Sequence, residues 1–140
     1  MVIVMDTNVL VAATLSPLGA SFQILTLVPQ QRFELLLSVP LMLEYEEVLK
    51  REEMRAKSRL TLAEIDALLD LLAAVGTPCT PFFQWRPQLP DPDDEMLLEL
   101  AANGHADVIV TMNVRHLLPA AWTFGLEVLR PGEFLRRIHV

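Results

Sequence analysis

The sequence predicts an α/β fold of three layers, in which a central and mainly parallel sheet lies between two layers of helices. The first observation is a set of short, unbroken apolar runs rich in β-branched residues, which is typical of strands buried on both faces. The second is that helical patterns of ten or more residues separate these runs, as in crossover connections between parallel strands. The 140 residues are therefore expected to form a single domain over residues 1–140.

Five segments are predicted strands and five are predicted helices. The first strand, MVIVM at residues 1–5, ends abruptly at Asp6, and residues 79–83 are the weakest strand candidate. The remaining strands are predicted at residues 34–39, 108–111 and 126–129. Apolar residues three and four positions apart predict helices at residues 20–28, 40–55, 61–74 and 92–103, and a short helix is expected after Pro131.

The chain is acidic, with 18 Asp and Glu residues, 11 Lys and Arg residues and a formal net charge of -7. Indiscriminate binding to phosphate backbones depends on clustered Lys and Arg, so any nucleic-acid role requires a local basic patch. Cys79 is the only cysteine, and the sequence contains neither a signal-peptide pattern nor a long apolar run. These features predict a protein of the reducing cytoplasm that does not enter a membrane.

Polar residues follow three of the predicted strands, at the strand ends where open parallel sheets place their sites. They are Asp6, Thr7 and Asn8 after the first strand, Ser38 after the second, and Thr111 and Asn113 after the fourth. Because Asp is a good N-cap, Asp6 alternatively caps a helix that begins near Val9. Thr7 or Asn8 can cap the same helix, which favours a site role for Asp6.

Glu44 borders the apolar stripe of the helix predicted at residues 40–55. The stripe consists of Leu41, Tyr45 and Val48. Glu44 lies about 60° from the centre of this stripe, closer than the two acids that follow it. A carboxylate in this position either points along the sheet toward the strand ends or lies on a solvated edge of the helix.

The densest acidic cluster consists of Asp91, Asp93, Asp94 and Glu95. One explanation is helix initiation, with Asp91 as the N-cap, Pro92 at the first helical position and the other acids favoured by the helix dipole. Helical phase separates the acids, because Asp94 continues the apolar stripe that faces the sheet whereas Asp93 is displaced by about 100°. A carboxylate on a buried face is costly unless it is paired or binds a cation, so Asp94 is the best ligand candidate.

Three carboxylates, those of Asp6, Glu44 and Asp94, are thus predicted to meet at one edge of the sheet. Their mutual repulsion raises their pKa values unless a cation neutralises them. All-oxygen ligands suit hard divalent ions such as Mg²⁺ or Mn²⁺, and these ions activate water and stabilise displacement at phosphorus. A metal-dependent reaction at a phosphate group is the expectation that follows.

Four segments of the sequence contain these candidate site residues together with the strands and helices around them. They are VIVMDTNVLVAA at residues 2–13, SVPLMLEYEEVL at 38–49, LPDPDDEMLLELA at 89–101 and ADVIVTMNVRHLL at 106–118. Over nearly the whole chain this pattern resembles the PIN-domain family. The resemblance implies a PIN-like α/β/α fold and a divalent-metal-dependent endoribonuclease of the kind found as toxins in toxin-antitoxin systems. It also implies that Asp6, Glu44 and Asp94 are the catalytic residues and hold Mg²⁺ or Mn²⁺.

The sequence departs from that family at one position. Many members place a fourth acid directly after the Thr that ends the fourth strand, whereas Met112 and Asn113 follow Thr111 in this chain. Asn offers only a neutral carbonyl, so a second metal ion is expected to be held less well. Asn113 and Asp93 are therefore weaker candidates for metal ligands.

Two groups of basic residues are candidate nucleic-acid contacts. Residues 50–59 hold five of the 11 basic residues, and on the wheel of a continuous helix Arg51 and Arg55 fall within about 40° of Glu44. The alternative is a solvated helix end whose basic residues complement the dipole and pair with neighbouring Glu residues. The second group consists of Arg115 and His116, after the fourth strand.

These residues favour a ribonuclease directed at single-stranded RNA, with RNA, a cognate antitoxin and a second copy of the chain as expected partners. The apolar helix at residues 20–28 either supplies surface for the homodimer and the antitoxin or is a buried core helix. The first alternative function is a PIN-fold RNA-binding or RNA-processing factor in which Asn113 marks weak catalysis. An aspartyl-phosphate phosphatase with Asp6 as nucleophile is disfavoured, because DTN lacks the second Asp that such enzymes place two residues later.

Overall fold

Strands and helices alternate along the chain in the computed structural model, which describes residues 1–80, 89 and 91–139. The strands are β1 (Val2–Met5), β2 (Glu34–Leu37), β3 (Thr77–Pro78), β4 (Val108–Val110) and β5 (Glu127–Leu129). The helices are α1 (Thr7–Leu15), α2 (Ala20–Leu27), α3 (Val39–Lys50), α4 (Glu52–Ser58), α5 (Leu62–Val75), α6 (Pro92–Asn103), α7 (Val114–Thr123) and α8 (Pro131–Ile138). A 3-10 turn, Val28–Gln30, follows α2 directly.

The five strands form one parallel sheet in the order β3-β2-β1-β4-β5. Ile3 in the central strand pairs with Leu35 of β2 on one side and with Val108 of β4 on the other. Ile3 and Val108 are fully buried, which explains why these strands lack the polar alternation of a half-exposed sheet. The α/β fold class predicted from the sequence, with a parallel sheet flanked by helices, is confirmed.

The order in which successive strands are added to the sheet reverses direction between β1 and β4. From β1 the chain steps through β2 to β3 at one edge, and it then crosses to β4 and continues to β5 at the other edge. Because crossovers between parallel strands are right-handed, the crossover helices of the two halves lie on opposite faces of the sheet. A crevice opens at the carboxyl ends of β1 and β4, which is where such sheets bind ligands.

The helices pack as two layers around this sheet. α1 packs against α2 and α3, and α2 also packs against α8. α6 contacts β1, β2 and β4 and packs against α7. Ile24 and Leu27 of α2 are buried in the core, so the apolar surface predicted at residues 20–28 is used largely within the fold.

No single helix in the described residues is long and apolar enough to cross a membrane. α1 and the segment Ala20–Gln30 pass that test together on length and composition, but they are bent by 105° relative to each other. Their residues Val9, Leu10 and Ile24 are fully buried in the core.

The helix predicted at residues 40–55 is two helices in the structure. α3 ends at Lys50 and α4 begins at Glu52, because Arg51 between them adopts an extended backbone with φ -58° and ψ 138°. Glu52 and Glu53 occupy the first turn of α4, where the helix dipole favours acids. The prediction of one continuous helix is therefore wrong.

Two further elements differ from the sequence prediction. The strand expected at residues 79–83 is not found at residues 79 and 80; β3 is Thr77–Pro78 instead and pairs with Leu36 and Leu37 of β2. Residues 81–83 of that prediction lie outside the described residues. The sequence patterns also did not predict α7, which contains Pro119 in its interior.

Candidate active site

Asp6 and Thr111 meet in the crevice between β1 and β4. Asp6 directly follows β1 and is 8% exposed, and Thr111 directly follows β4 and is fully buried. The Thr111 hydroxyl donates a hydrogen bond to Asp6 Oδ2 over 2.7 Å. Asp6 stands at the N-cap position of α1, where no hydrogen bond of full capping geometry reaches its side chain, although the adjacent N–H groups of Thr7 and Asn8 lower its pKa. Asp6 thus stands at the start of α1 as the N-cap alternative expects, and the bond from Thr111 also holds its carboxylate toward the strand ends.

Asn8 and Asn113 tie the turn after β4 to the first turn of α1. The Met112 N–H donates to Asn8 Oδ1 over 3.2 Å, and the Asn113 N–H donates to the Thr111 hydroxyl oxygen over 3.0 Å. Asn8 Nδ2 also lies 3.5 Å from the Thr111 hydroxyl oxygen. Asn113 thus contributes its backbone to this network, while the residue itself is exposed at the crevice.

Glu44 reaches the same crevice from α3. The Thr7 hydroxyl donates to Glu44 Oε2 over 2.9 Å, which joins α1 to α3 beside Asp6. The fully buried Tyr45 donates its hydroxyl hydrogen to the carbonyl oxygen of Met5, the last residue of β1. Ser38 caps α3, because its hydroxyl oxygen accepts the Leu41 N–H over 3.2 Å. Sequence reasoning identified Tyr45 only as a core residue, since helical phase gives no sign of where a buried hydroxyl finds its acceptor.

Asp94 enters the crevice from the first turn of α6. Asp91 is the N-cap of this helix, as predicted, and its Oδ1 accepts the Asp93 N–H over 2.9 Å. The Asp94 side chain is only 13% exposed, and its Oδ2 lies 3.9 Å from Nδ1 of His116 at the start of α7. α6 and α7 therefore both begin at this edge of the sheet.

Burial raises the pKa of Asp6, Glu44 and Asp94, and the charges of neighbouring carboxylates raise these pKa values further. The hydrogen bonds from Thr111 to Asp6 and from Thr7 to Glu44 act in the opposite direction. In the part of the chain that the structure describes, no Lys or Arg forms an ion pair with any of the three acids. Among the described residues, the crevice thus gathers three carboxylates with only His116, beside Asp94, as a nearby basic group.

The charge of Asp93 acts on the acids of this crevice, although helical phase displaces Asp93 from the stripe that contains Asp94. After burial, the charge of Asp93 is among the causes that raise the pKa of Asp6 and of Glu44. A side chain in the first turn of a helix extends past the helix end, so its angle on the wheel does not settle its position. Asp93 is exposed and stays a weaker candidate for a metal ligand.

The donor chemistry of the crevice fits a hard divalent cation, since its candidate ligands are oxygen atoms of partly buried acids. Within residues 1–80, 89 and 91–139, no group of three or more His, Cys, Asp or Glu side chains is arranged to hold a metal ion. Mg²⁺ usually keeps several waters and takes only one or two protein carboxylates. The residues therefore fit a water-rich ion better than an ion enclosed by protein ligands.

The two predicted basic groups differ in their relation to this crevice. Arg51 Nη2 lies 3.2 Å from Glu47 Oε1 on an exposed surface. Arg55 belongs to α4, beyond the break in the helix, so the wheel angle that related it to Glu44 does not apply. Arg115 is exposed in the first turn of α7, at the edge of the crevice. Contact of these side chains with RNA stays a prediction.

A doubly wound parallel sheet with acids at its switch point defines a class of α/β proteins whose sites lie at the strand ends. The family profile of the PIN domain matches residues 2–115, which contain Asp6, Glu44, Asp94 and Thr111. The chain therefore belongs to the PIN-domain family, as the sequence motifs predicted. PIN domains are generally nucleases and typically use divalent metal ions such as Mg²⁺. A comparison with curated proteins found no match.

Proposed function

We propose that this protein is a divalent-metal-dependent endoribonuclease that cleaves single-stranded RNA. The observation that carries the proposal is the gathering of Asp6, Glu44 and Asp94 at the switch point of the sheet, with raised pKa values and no Lys or Arg paired to them in the described residues. Such a cluster is stabilised when a cation binds. Membership of a family of nucleases supports the same reaction class.

Asp6, Glu44 and Asp94 would hold Mg²⁺ or Mn²⁺ in this proposal, with Asp93 and Asn113 as weaker ligands. When bound, such an ion lowers the pKa of water and offsets charge at a reacting phosphate. The Thr111 hydroxyl orients the Asp6 carboxylate, and the Thr7 hydroxyl orients that of Glu44. Both carboxylates are thereby fixed before substrate arrives, so little reorganisation is needed during reaction.

The second candidate function is an RNA-binding or RNA-processing factor with weak catalysis. Asn113 favours it. Many PIN domains have a fourth acid just after the Thr that ends the fourth strand, whereas this chain has the neutral and exposed Asn113 near that point. Loss of one charge weakens a second metal site but leaves the other carboxylates in place. Cleavage of RNA by the purified protein separates the two functions.

Cellular role and partners follow from the ribonuclease proposal. We propose that the protein is the toxin of a toxin-antitoxin pair in the cytoplasm, with a cognate antitoxin and a second copy of the chain as partners. A nuclease that acts on cellular RNA requires a means of inhibition, which an antitoxin supplies. The single cysteine suits a reducing compartment. Co-purification of the chain with the product of a neighbouring gene, and loss of growth when the chain is expressed alone, test this role.

The central experiment measures cleavage of a labelled single-stranded RNA by the purified protein with Mg²⁺, with Mn²⁺ and with EDTA. We expect cleavage only with a divalent ion, and loss of cleavage in Asp6→Asn and Asp94→Asn. Asp70→Asn is the matched control, because it removes the same charge from an exposed position on α5. Full cleavage by either crevice variant contradicts the site assignment. RNA binding without cleavage in every metal favours the second candidate function.

A further inference from the structure

The outer face of α7 combines an unusually exposed aromatic side chain with a basic one. Trp122 is 84% exposed and Leu118, one turn earlier, is 48% exposed. Arg115 is exposed one further turn toward the start of the helix. We call this surface, defined by Arg115, Leu118 and Trp122, the α7 face. Leu117 and Ala121 of the same helix are fully buried against the core.

Helical geometry aligns these residues into a track that starts at the crevice. Arg115 and Trp122 are seven positions apart, so they lie within about 20° of each other on the wheel and about 10 Å apart along the axis. The helix begins at the crevice edge, where His116 lies 3.9 Å from Asp94. A strand that leaves the crevice past Arg115 reaches Trp122 within a few nucleotides.

The helix α7 itself carries no negative charge, although its first turn lies beside Asp94. α7 contains Arg115 and His116 but no acidic residue, in a chain that has 18 acids. The next acid along the chain, Glu127, is held by Arg137 through two contacts of 2.9 Å, so its charge is already paired. A phosphate backbone therefore meets less repulsion here than the net charge of -7 suggests.

A second copy of the chain suits the α7 face less well. Stable interfaces bury about 800 Å² on each partner, with roughly 20 to 30 residues a side. The α7 face offers two exposed apolar side chains, Leu118 and Trp122, beside an arginine. An exposed aromatic ring beside an arginine is instead typical of proteins that bind single-stranded nucleic acid, because bases stack on the ring and Arg contacts the backbone.

We propose that the α7 face binds single-stranded RNA, with a base stacked on Trp122 and a phosphate of a nearby nucleotide at Arg115. This inference rests on the proposed function, since it names the path of the substrate strand as it leaves the crevice. It assigns Trp122 a role in substrate binding that the carboxylate site does not provide. Double-stranded RNA is a poor ligand for the face, because its bases are not free to stack on a side chain.

The test measures binding of a fluorescein-labelled oligoribonucleotide to the purified protein in EDTA, which prevents cleavage. We expect Trp122→Ala to weaken binding by roughly 5- to 150-fold and Trp122→Phe to restore most of the affinity. Trp122→Leu should not restore it, because Leu is apolar but has no ring for stacking. Leu118→Ala, on the same face, is the matched control and should change affinity little.

Salt dependence separates stacking from charge on this face. We expect Trp122→Ala to leave the slope of log affinity against log salt unchanged, whereas Arg115→Ala should reduce it by roughly 0.7. In a Trp85→Phe background the remaining indole fluorescence should be quenched by the single strand and not by a duplex of the same sequence.

The outcomes distinguish this inference from the ribonuclease proposal. Equal binding by the wild type and Trp122→Ala, with normal metal-dependent cleavage, overturns the inference and leaves the ribonuclease proposal standing. Trp122-dependent binding without cleavage in any metal supports the inference and contradicts the ribonuclease. Full restoration by Trp122→Leu, or conversion of a dimer to a monomer by Trp122→Ala in sedimentation, identifies the face as a protein contact and overturns the inference.

Discussion

Acidic side chains at the strand ends and acidic side chains on the outer surface differ in how the fold treats their charge. Burial raises the pKa of Asp6 and Glu44, so the fold disfavours their ionised forms. Glu127 is exposed, and hydrogen bonding to Arg137 lowers its pKa. Hydrogen bonds to Thr61 lower the pKa of Glu64 in the same way. The strand-end acids are therefore held at a cost to stability, which is what a ligand site requires, whereas the surface acids contribute to helix capping and ion pairing.

The largest expected effect comes from Asp6→Asn. The raised pKa means that the folded state binds a proton more tightly than the unfolded state, so the contribution of Asp6 to stability falls as pH rises past the usual carboxyl range of about 4. We expect the metal-free variant to be more stable than the wild type at pH 7, with the difference vanishing at lower pH. Cleavage should fall by more than the roughly 10- to 100-fold typical of residues that support a metal ligand.

Melting curves recorded over a range of pH, with and without Mn²⁺, measure the stability of Asp6→Asn relative to the wild type. The wild type should gain stability from Mn²⁺, whereas the variant should gain little, since a ligand stabilises only the state that binds it. A variant that is less stable than the wild type at pH 7 without metal would show that Asp6 is not held at a cost.

The next effect concerns Thr111→Val, which keeps the shape of the side chain but removes the hydrogen bond to Asp6. Because this bond lowers the pKa of Asp6, its loss should raise that pKa further and shift the acidic limb of the activity profile to higher pH. Mn²⁺ affinity should fall roughly 10- to 100-fold. Calorimetric titration measures the affinity, and Thr26→Val, which removes a hydroxyl from the exposed side of α2, serves as the control.

A smaller effect is expected from Asn113→Asp, which adds a carboxylate at the exposed end of the crevice. A unit charge and a double charge 4 Å apart in water interact by about 2 kcal/mol, so a second Mn²⁺ should bind roughly 30-fold more tightly. The added charge should also lower the stability of the metal-free protein. Titration of both proteins with Mn²⁺ decides the matter, because equal stoichiometry and affinity would place Asn113 outside the metal site.

The smallest effect should follow Glu127→Gln, which tests the other side of the comparison. A lowered pKa means that Glu127 stabilises the fold above its unfolded pKa and that this contribution is lost as pH falls through the folded value. Since the pair with Arg137 is exposed, solvent screens it and the melting temperature should change by an amount near the error of measurement. A large loss of stability, or any loss of cleavage, would contradict the contrast between the two sets of acids.

Much of the fold follows from local sequence because its strands are short and buried on both faces. Runs such as VIVM and VIV contain no polar residue, so they do not fit an amphipathic helix or a half-exposed strand. The parallel sheet that they form was predicted. The break at Arg51 was not predicted, since the apolar spacing continues across it and only the acids that follow indicate a new helix start. α7 was missed because Pro119 normally argues against a helix interior, although Val114, Leu117 and Ala121 keep helical spacing.

Strand order and helical phase predicted where the acids of the candidate site lie, but not the contacts that hold them. Asp6, Glu44 and Asp94 all lie at the carboxyl edge of the sheet, as expected from their positions after β1, on α3 and on α6. The contacts among supporting residues were beyond sequence reasoning, because the bond from Thr111 to Asp6 joins positions 105 residues apart. No local sequence pattern indicates such a pairing. The assignment of Asp6, Glu44 and Asp94 as metal ligands stays a prediction.

The position of β1 between β2 and β4 governs when the crevice can form during synthesis. β1 emerges first and pairs with β2 through a local connection, but its other edge waits until β4 is made. A nascent chain that ends after β3 contains Asp6 and Glu44 yet lacks both Asp94 and Thr111. Contacts of such long sequence separation close late and slow the folding reaction. The acidic crevice is therefore complete only after α6 and β4 have been synthesised, and chains that end before them carry no assembled site.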